Sequence, residues 1–581
     1  MEGHVTPPSN PATLSSVAIG CDRAPPFSVQ QITITKQEYI ELRHQASYWK
    51  SQHAQAKERI KALEEEIDFK EAKIKDLTQR LFGKKSEKNP SKGSEKGESK
   101  PAPKRKRGQQ PGCRGHGRTQ RPDLPVVHEV ADLQEAHKYC AHCGLPYLPN
   151  ESLDEQSTLH EVQVRAYVRR VRRKSYTRHS GCTCEGSPAI KTAAVPPKVI
   201  PGGGYAVSFW VEILLGKYLY GQPTHRGLQN LRDLGMPVSA GTVTDGLKRL
   251  AVLFEPLLDA LYRRQMGERL FHNDETRWEV FEPIEGKVGS RWYLWVTRSQ
   301  SVIFYRMDPS RSAAVPGAHF AGITAERIII VCDRYSAYKK LAREGDGIWL
   351  AFCWAHVRRD FLEAARAFAP LEDWGVHWKE RIGELYHHNK LRLAHWNPQR
   401  PLGQQSEAFM QAHHRLEHKL QALHEEASTV VHGQSDDTEG QPVNPLPKSA
   451  RTKQKKILNS LLAHWPGLTL FVDHPEVPMD NNHAEQAIRG PVSGRKNYYG
   501  SGSCWSATLA AMMFSILQSL GLWHINPRHW LSSYLQACAE RGGQAPQDLS
   551  AFLPWSMDES RRRQLSAPTP PPELPPVQDS S

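Results

Sequence analysis

Three periodicities divide this chain. From Thr35-Lys-Gln-Glu38, a capping-box signature, a seven-residue repeat runs for about six heptads. Its a positions are Tyr39, Ala46, His53, Ile60, Ile67, Ile74 and Leu81, and its d positions Leu42, Trp49, Ala56, Leu63, Lys70 and Leu77. An apolar stripe this narrow on so charged a helix predicts a coiled coil over 36–83 that joins copies of the chain; the other arrangement is one helix packed on its own protein. Period two takes over at 126–131 and 159–176, where Glu161-Val-Gln-Val-Arg-Ala-Tyr-Val-Arg-Arg-Val171 alternates, and predicts the strands of a small β domain at 126–200.

After Pro201-Gly-Gly-Gly204 the period becomes helical, with helices expected at 206–219, 224–234 and from the Ser239 N-cap to about 254. The turn Gly235-Met-Pro-Val-Ser239 makes 201–265 read as a helix-turn-helix-like domain, or equally as a plain three-helix bundle. Strands follow at 270–281, 291–298 and 302–307, then a short helix at 311–320, a buried run at 327–332, a further strand at 348–352 and a helix from Trp354. This β-β-β-α-β-α-β order looks like an RNase H-like core over 266–525, with a mostly helical insertion at about 361–478 and a C-terminal element and tail at 526–581. The fold class expected is therefore multidomain α/β.

Charge and composition narrow the partners. The chain has 581 residues and a formal charge of +14, with a pI near 9.2, which favours a polyanion through counterion release. Residues 1–35, rich in Pro, Ser and Thr, read as a disordered tail, and 84–125 as a flexible basic linker whose Lys104, Arg105, Lys106 and Arg107 suit phosphate contact. No run of about eighteen apolar residues and no signal-peptide pattern is read from the sequence, so a soluble cytoplasmic protein without a membrane partner is expected.

Ten cysteines are too scattered for a disulfide framework, except for two close pairs, Cys140-Ala-His-Cys143 and Cys182-Thr-Cys184. Two such pairs at turns between strands match a zinc ribbon in which four thiolates close a structural Zn²⁺ site. The Cys-x-Cys spacing of the second pair leaves His142 or His179 open as a substitute ligand. The Arg-rich strand, with Arg165, Arg169, Arg170, Arg172, Arg173 and Lys174, suits DNA.

The chemistry rests on three acids in separate motifs: Asp274 in Phe271-His-Asn-Asp-Glu-Thr276, Asp333 in Cys332-Asp-Arg-Tyr-Ser-Ala-Tyr338 and Glu485 in Asp480-Asn-Asn-His-Ala-Glu485. Carboxylates gathered from strand ends and a helix can hold two divalent cations for phosphodiester chemistry. Glu275 is expected to face away from Asp274 by strand alternation, and Asp480 to cap the helix that carries Glu485 and Arg489.

Together with Cys353-Trp-Ala-His-Val-Arg-Arg359, Gly494-Arg-Lys-Asn497, Leu553-Pro-Trp555 and Leu81-Phe-Gly-Lys-Lys-Ser-Glu-Lys88, these motifs resemble the IS66-type insertion-sequence transposases over most of the chain. The resemblance implies a DDE enzyme in the bacterial nucleoid. It would use Mg²⁺ or Mn²⁺ at Asp274, Asp333 and Glu485 to cleave element ends and transfer the 3′-hydroxyl into target DNA, as a homo-oligomer and with accessory proteins encoded beside it. Gln486 stands where the family commonly has Arg. DNA contact is expected from Lys248 and Arg249 on the third helix, from Arg489, and from a Gly-flanked loop carrying Arg495, Lys496 and Tyr498; His356, Arg358 and Arg359 are candidates for phosphate contact or a solvated basic face. The competing functions are a catalytically silent DNA-binding regulator derived from a transposase and a host junction resolvase.

Overall fold

The computed structural model describes residues 33–82, 132–149, 164–181, 188–432 and 446–567. The expected basic linker with Lys104, Arg105, Lys106 and Arg107, and the pair Cys182 and Cys184, lie outside the described residues. The heptad segment is one helix, α1 (Lys36–Phe82), opened by reciprocal bonds between Thr35 and Glu38. Its seam residues Ile60, Leu63, Ile67 and Ile74 are exposed, although the helix approaches two helices of the insertion region.

The alternating segment pairs far less than its pattern suggests. Within the described residues, 164–173 belongs to no ladder, Lys174 O accepts the Ala193 amide at 3.0 Å, and β1 (Ser175–Thr177) and β2 (Ile190–Thr192) form an antiparallel ladder. Val164, Tyr167, Val168 and Val171 are exposed among the described residues.

The next helices are α2 (Val207–Tyr218), α3 (Thr224–Asp233) and α4 (Ala240–Met266). Ser239 caps α4 by accepting from the Thr242 amide at 3.1 Å, and the helix runs well past residue 254, through Pro256, because its second half is apolar on the face that meets the sheet. A Cβ on Gly246 would stand 1.9 Å from the Trp210 ring, so α2 and α4 cross in close contact there.

The central sheet has five strands: β3 (Leu270–Glu279), β4 (Arg291–Arg298), β5 (Ile303–Asp308), β6 (Ile328–Cys332) and β7 (Ile348–Phe352). Its order is β5-β4-β3-β6-β7, antiparallel among the first three and parallel from β3 to β6 to β7. Between strands lie α5 (Ala314–Phe320) and α6 (Ser336–Glu344). After β7 come α7 (Trp354–Ala367), α8 (Glu372–Leu393), α9 (Glu407–His432), α10 (Lys448–Ala463) and α11 (Trp465–Asp473), the helical insertion; α1 approaches α7 and α10. Then follow α12 (Asn482–Tyr498), α13 (Cys504–Leu522), α14 (Pro527–Glu540) and α15 (Glu559–Ser566).

The two sheet faces bury different cores. Trp278, Leu294, Val296 and Tyr305 pack with α2, α4, α12, α13 and α14, whereas Phe271, Trp295, Ile330 and Cys332 pack with α6, α7 and the insertion. α13 corrects one sequence reading: it is long and apolar enough to cross a membrane by length and composition, yet two thirds of it is buried here. Its polar residues have a specific task. Ser519 and Ser515 accept the Ile303 and Tyr305 amides at 2.9 and 2.8 Å, satisfying the outer edge of β5, which has no strand partner among the described residues.

Candidate active site

The parallel ladder between β3 and β6 positions the first two acids. Leu270, Phe271 and His272 pair with Ile329, Ile330 and Val331, and continuing that register by two residues brings Asp274 level with Asp333, just beyond the end of β6. Asp333 accepts the Tyr335 amide at 2.9 Å, a turn that fixes the chain as it leaves the sheet. Glu485 comes from the first turn of α12, which packs across β3 and β4.

That helix is held in place by Asn481. Its Nδ2 donates to the Asn273 carbonyl at 2.7 Å, its Oδ1 lies 3.2 Å from His272 Nδ1, and its backbone amide faces Cys353 Sγ at 3.2 Å. One buried residue thus ties β3, α12 and the start of α7 together. Asp480 accepts the Asn482 amide at 3.0 Å, so it does serve the helix start, while Asn481 occupies the N-cap position itself.

The electrostatics are those of anions without enough cation. Asp274 keeps part of its surface wet, but protein crowds it; burial, followed by the charges of Glu275, Asp333 and Glu485, pushes its carboxyl up to about 8 against the Glu275 amide that it accepts at 2.8 Å. Glu485 Oε1 is buried and has no hydrogen-bond partner. Glu275, on the opposite face as alternation requires, is matched instead: Arg311 donates from Nη2 at 2.6 Å and Nε at 3.0 Å, and Tyr338 donates at 2.8 Å. Arg311 in turn lies over the Tyr335 ring at 4.0 Å.

His356 and Cys353 were not among the expected ligands, yet Cys353, His356 and Glu485 offer ligand atoms within 4.8 Å of one another. The Cys-x-x-His spacing at a helix start was the available signal. Burial and Arg359 hold His356 below its usual range, against the pull of Glu485 and Asp333. Arg358 lies over the Tyr386 ring at 5.7 Å, and Arg359 is exposed.

The expected DNA contacts divide. Lys248, Arg249, Arg489 and Lys496 are exposed, Arg249 beside Asp245 at 2.9 Å. Residues 494–498 are not a loop but the last turns of α12, because Tyr499, at φ 66°, is the left-handed residue that ends the helix. Arg495 consequently turns inward to Thr276 Oγ1 at 3.2 Å. Tyr498 packs between Lys217, 4.7 Å above its ring, and Trp278, so the exposed aromatic here is Tyr499.

In the small β region, Cys140 and Cys143 sit on one tight turn closed by Cys140 N–H to Leu145 O and Gly144 N–H to Cys140 O, both 2.8 Å, with Gly144 at φ 71°. The His142 and Cys143 amides, then the neighbouring Cys143, hold the Cys140 thiol below its ordinary range.

Comparison with known proteins agrees with the motifs. Among curated proteins, the chain is 23% identical to the uncharacterized protein y4jD of Sinorhizobium fredii over 69% of this chain and 75% of that one. It is 23% identical to y4hP of the same organism, over 72% and 73%, and 26% identical to y4qI, over 65% and 68%. No solved structure matches it. The model of the transposase IS66 family matches residues 202–509, a stretch that begins just before α2, takes in the sheet and all three acids, and ends within α13. The chain belongs to the IS66 family of transposases.

Proposed function

We propose that the protein is an active DDE transposase that cuts the ends of its insertion sequence and joins the 3′-hydroxyl to target DNA. The observation that carries this reading is that Asp274, inside β3, stands level with Asp333 just past the end of β6 while Glu485 comes from the helix packed across β3, with Asp274 raised by burial and then by its acidic neighbours and Glu485 Oε1 buried without a donor. Such a donor set fits Mg²⁺ or Mn²⁺, hard cations that take carboxylate oxygens. When bound, the cations would supply activation of the attacking oxygen and stabilisation of the leaving one. The chain's own part is to hold the acids in register through the β3–β6 ladder and to fix α12 through Asn481. The strand order, with an antiparallel meander joined to two parallel strands, supports an RNase H-like core.

DNA is the partner on this reading, gripped by the exposed Lys248, Arg249, Arg489 and Lys496 and by the basic segment around Lys104. Cys140 and Cys143, with Cys182 and Cys184, would hold a structural zinc, and α1 would join protomers so that two element ends meet. The test is cleavage of a duplex carrying an element end. Wild-type protein is expected to cut only with Mg²⁺ or Mn²⁺, while Asp274→Asn, Asp333→Asn and Glu485→Gln each bind the duplex without cutting it. Wild-type protein that binds and never cuts would make it a silent regulator.

A further inference from the structure

Glu485 has a neighbour that the three acids do not account for. His356, in the first turn of α7, presents Nε2 3.9 Å from Glu485 Oε1. That separation is too long for a hydrogen bond. Glu485 Oε1, the oxygen that faces Nε2, is nevertheless a buried atom with no hydrogen-bond partner; the unpartnered atom of the imidazole is Nδ1, away from the carboxylate. Leaving a buried carboxylate oxygen unmatched costs free energy, so Glu485 Oε1 calls for a partner in the space before Nε2.

The third member of the cluster is already committed. Cys353 is almost fully buried, stands at the N-cap of α7, and has its sulfur 3.2 Å from the Asn481 amide. This leaves one nitrogen and one carboxylate oxygen facing each other. Two ligands of a single small cation are separated by more than a hydrogen bond and by less than twice a metal–ligand distance of about 2.1 Å. The observed separation falls in that interval.

We infer that His356 is a further ligand of the cation held by Glu485, so that the centre is built from three carboxylates and one imidazole. This rests on the reading of Asp274, Asp333 and Glu485 as metal ligands. An imidazole nitrogen favours Mn²⁺ over Mg²⁺, which prefers an all-oxygen shell. The site should therefore discriminate between the two ions more than carboxylates alone would.

The test is pulsed EPR of the full-length protein loaded with Mn²⁺, together with Mn²⁺ and Mg²⁺ titrations. Wild-type protein should show nitrogen coupling to Mn²⁺ that is lost in His356→Ala and in His356→Gln. The coupling should persist in His483→Ala, which controls for the imidazole nearest to α12's start. Mn²⁺ affinity should fall about tenfold or more without His356, the scale of losing one metal-site interaction, and Mg²⁺ affinity by much less. Bound Mn²⁺ with no nitrogen coupling in wild-type protein, or coupling that survives His356→Ala, overturns the assignment while leaving the three acids in place. Mn²⁺ binding that is absent, or indifferent to Asp274→Asn and Glu485→Gln, overturns the carboxylate reading itself and the histidine ligand with it.

Discussion

Arg311 closes on Glu275 at 2.6 Å, one residue along β3 from Asp274, and no basic side chain does the same for Asp274 itself among the described contacts. Neighbouring acids on one strand thus have opposite fates: one is neutralised by the protein, the other left for something else. Arg311→Ala should leave Glu275 buried without its cation and destabilise the fold. Because Arg311 is half exposed, the loss should be about 2 kcal/mol, below the usual range for a fully buried pair. Urea unfolding measures it, and an unchanged midpoint would mean that Tyr338 alone satisfies the carboxylate.

The raised Asp274 carboxyl gives the metal-free protein a particular pH dependence. Its folded value near 8 exceeds the unfolded value of 3.8, so between those limits the folded state holds a proton that the unfolded chain has released. Stability from this group is full at low pH and is lost as pH rises through about 8, on the order of 1–3 kcal/mol since part of the side chain stays wet. Asp274→Asn should flatten that slope and stabilise the metal-free protein at pH 8.5. Added Mg²⁺ should raise the wild-type melting temperature at that pH and barely move the variant's; equal responses from both would remove Asp274 from the metal site.

For the cysteine turn, freshly purified protein should contain about one zinc per chain, the stoichiometry of a single four-thiolate site. Cys140→Ser should release it and open 126–198 to protease, since structural zinc contributes folding free energy directly. Metal analysis with no zinc in wild-type protein would end this expectation.

The exposed seam of α1 makes a separate prediction. Ile67→Lys with Ile74→Lys places charge where a paired helix would be dry, at a cost of several kcal/mol per helix pair. Light scattering should then report a smaller species, and paired-end reactions should suffer more than binding to one end. A double variant with wild-type mass would place α1 on its own chain, against α7 and α10.

At the sheet edge, Ser515→Ala leaves the buried Tyr305 amide without an acceptor and should cost about 1–3 kcal/mol. Ser515→Thr, which keeps the hydroxyl, serves as the control for packing in thermal unfolding.

Most strands were legible because apolar, aromatic and β-branched residues run together in them between turn residues: Leu270 to Glu279 and Arg291 to Arg298 appear almost as read. Strand alternation also separated Asp274 from Glu275. What failed was mostly tertiary. α13 has apolar residues on every side, a pattern that signals burial but names no neighbour. Gly494 and Gly500 suggested a loop where packing against Trp278 and Lys217 keeps α12 helical to Tyr498. Residues 164–173 alternate yet join no ladder among the described residues, because alternation says which faces differ and names no partner strand. His356 reads from the sequence only as a phosphate contact or part of a basic face, because nothing local relates it to Glu485, which approaches through the Asn481 anchor.

The serines of α13 also bear on timing. Synthesis delivers β3 to β7 first, then the long insertion, and only afterwards α12 with Glu485 and α13 with the groups that close the outer strand. A ribosome-bound chain that has not yet released α13 has an open β5 edge, a template for pairing with other chains, even once α12 has brought in Glu485. Genetic decay that truncates the gene before α13 should therefore yield a sticky, aggregating fragment and not a soluble competitor of the intact protein.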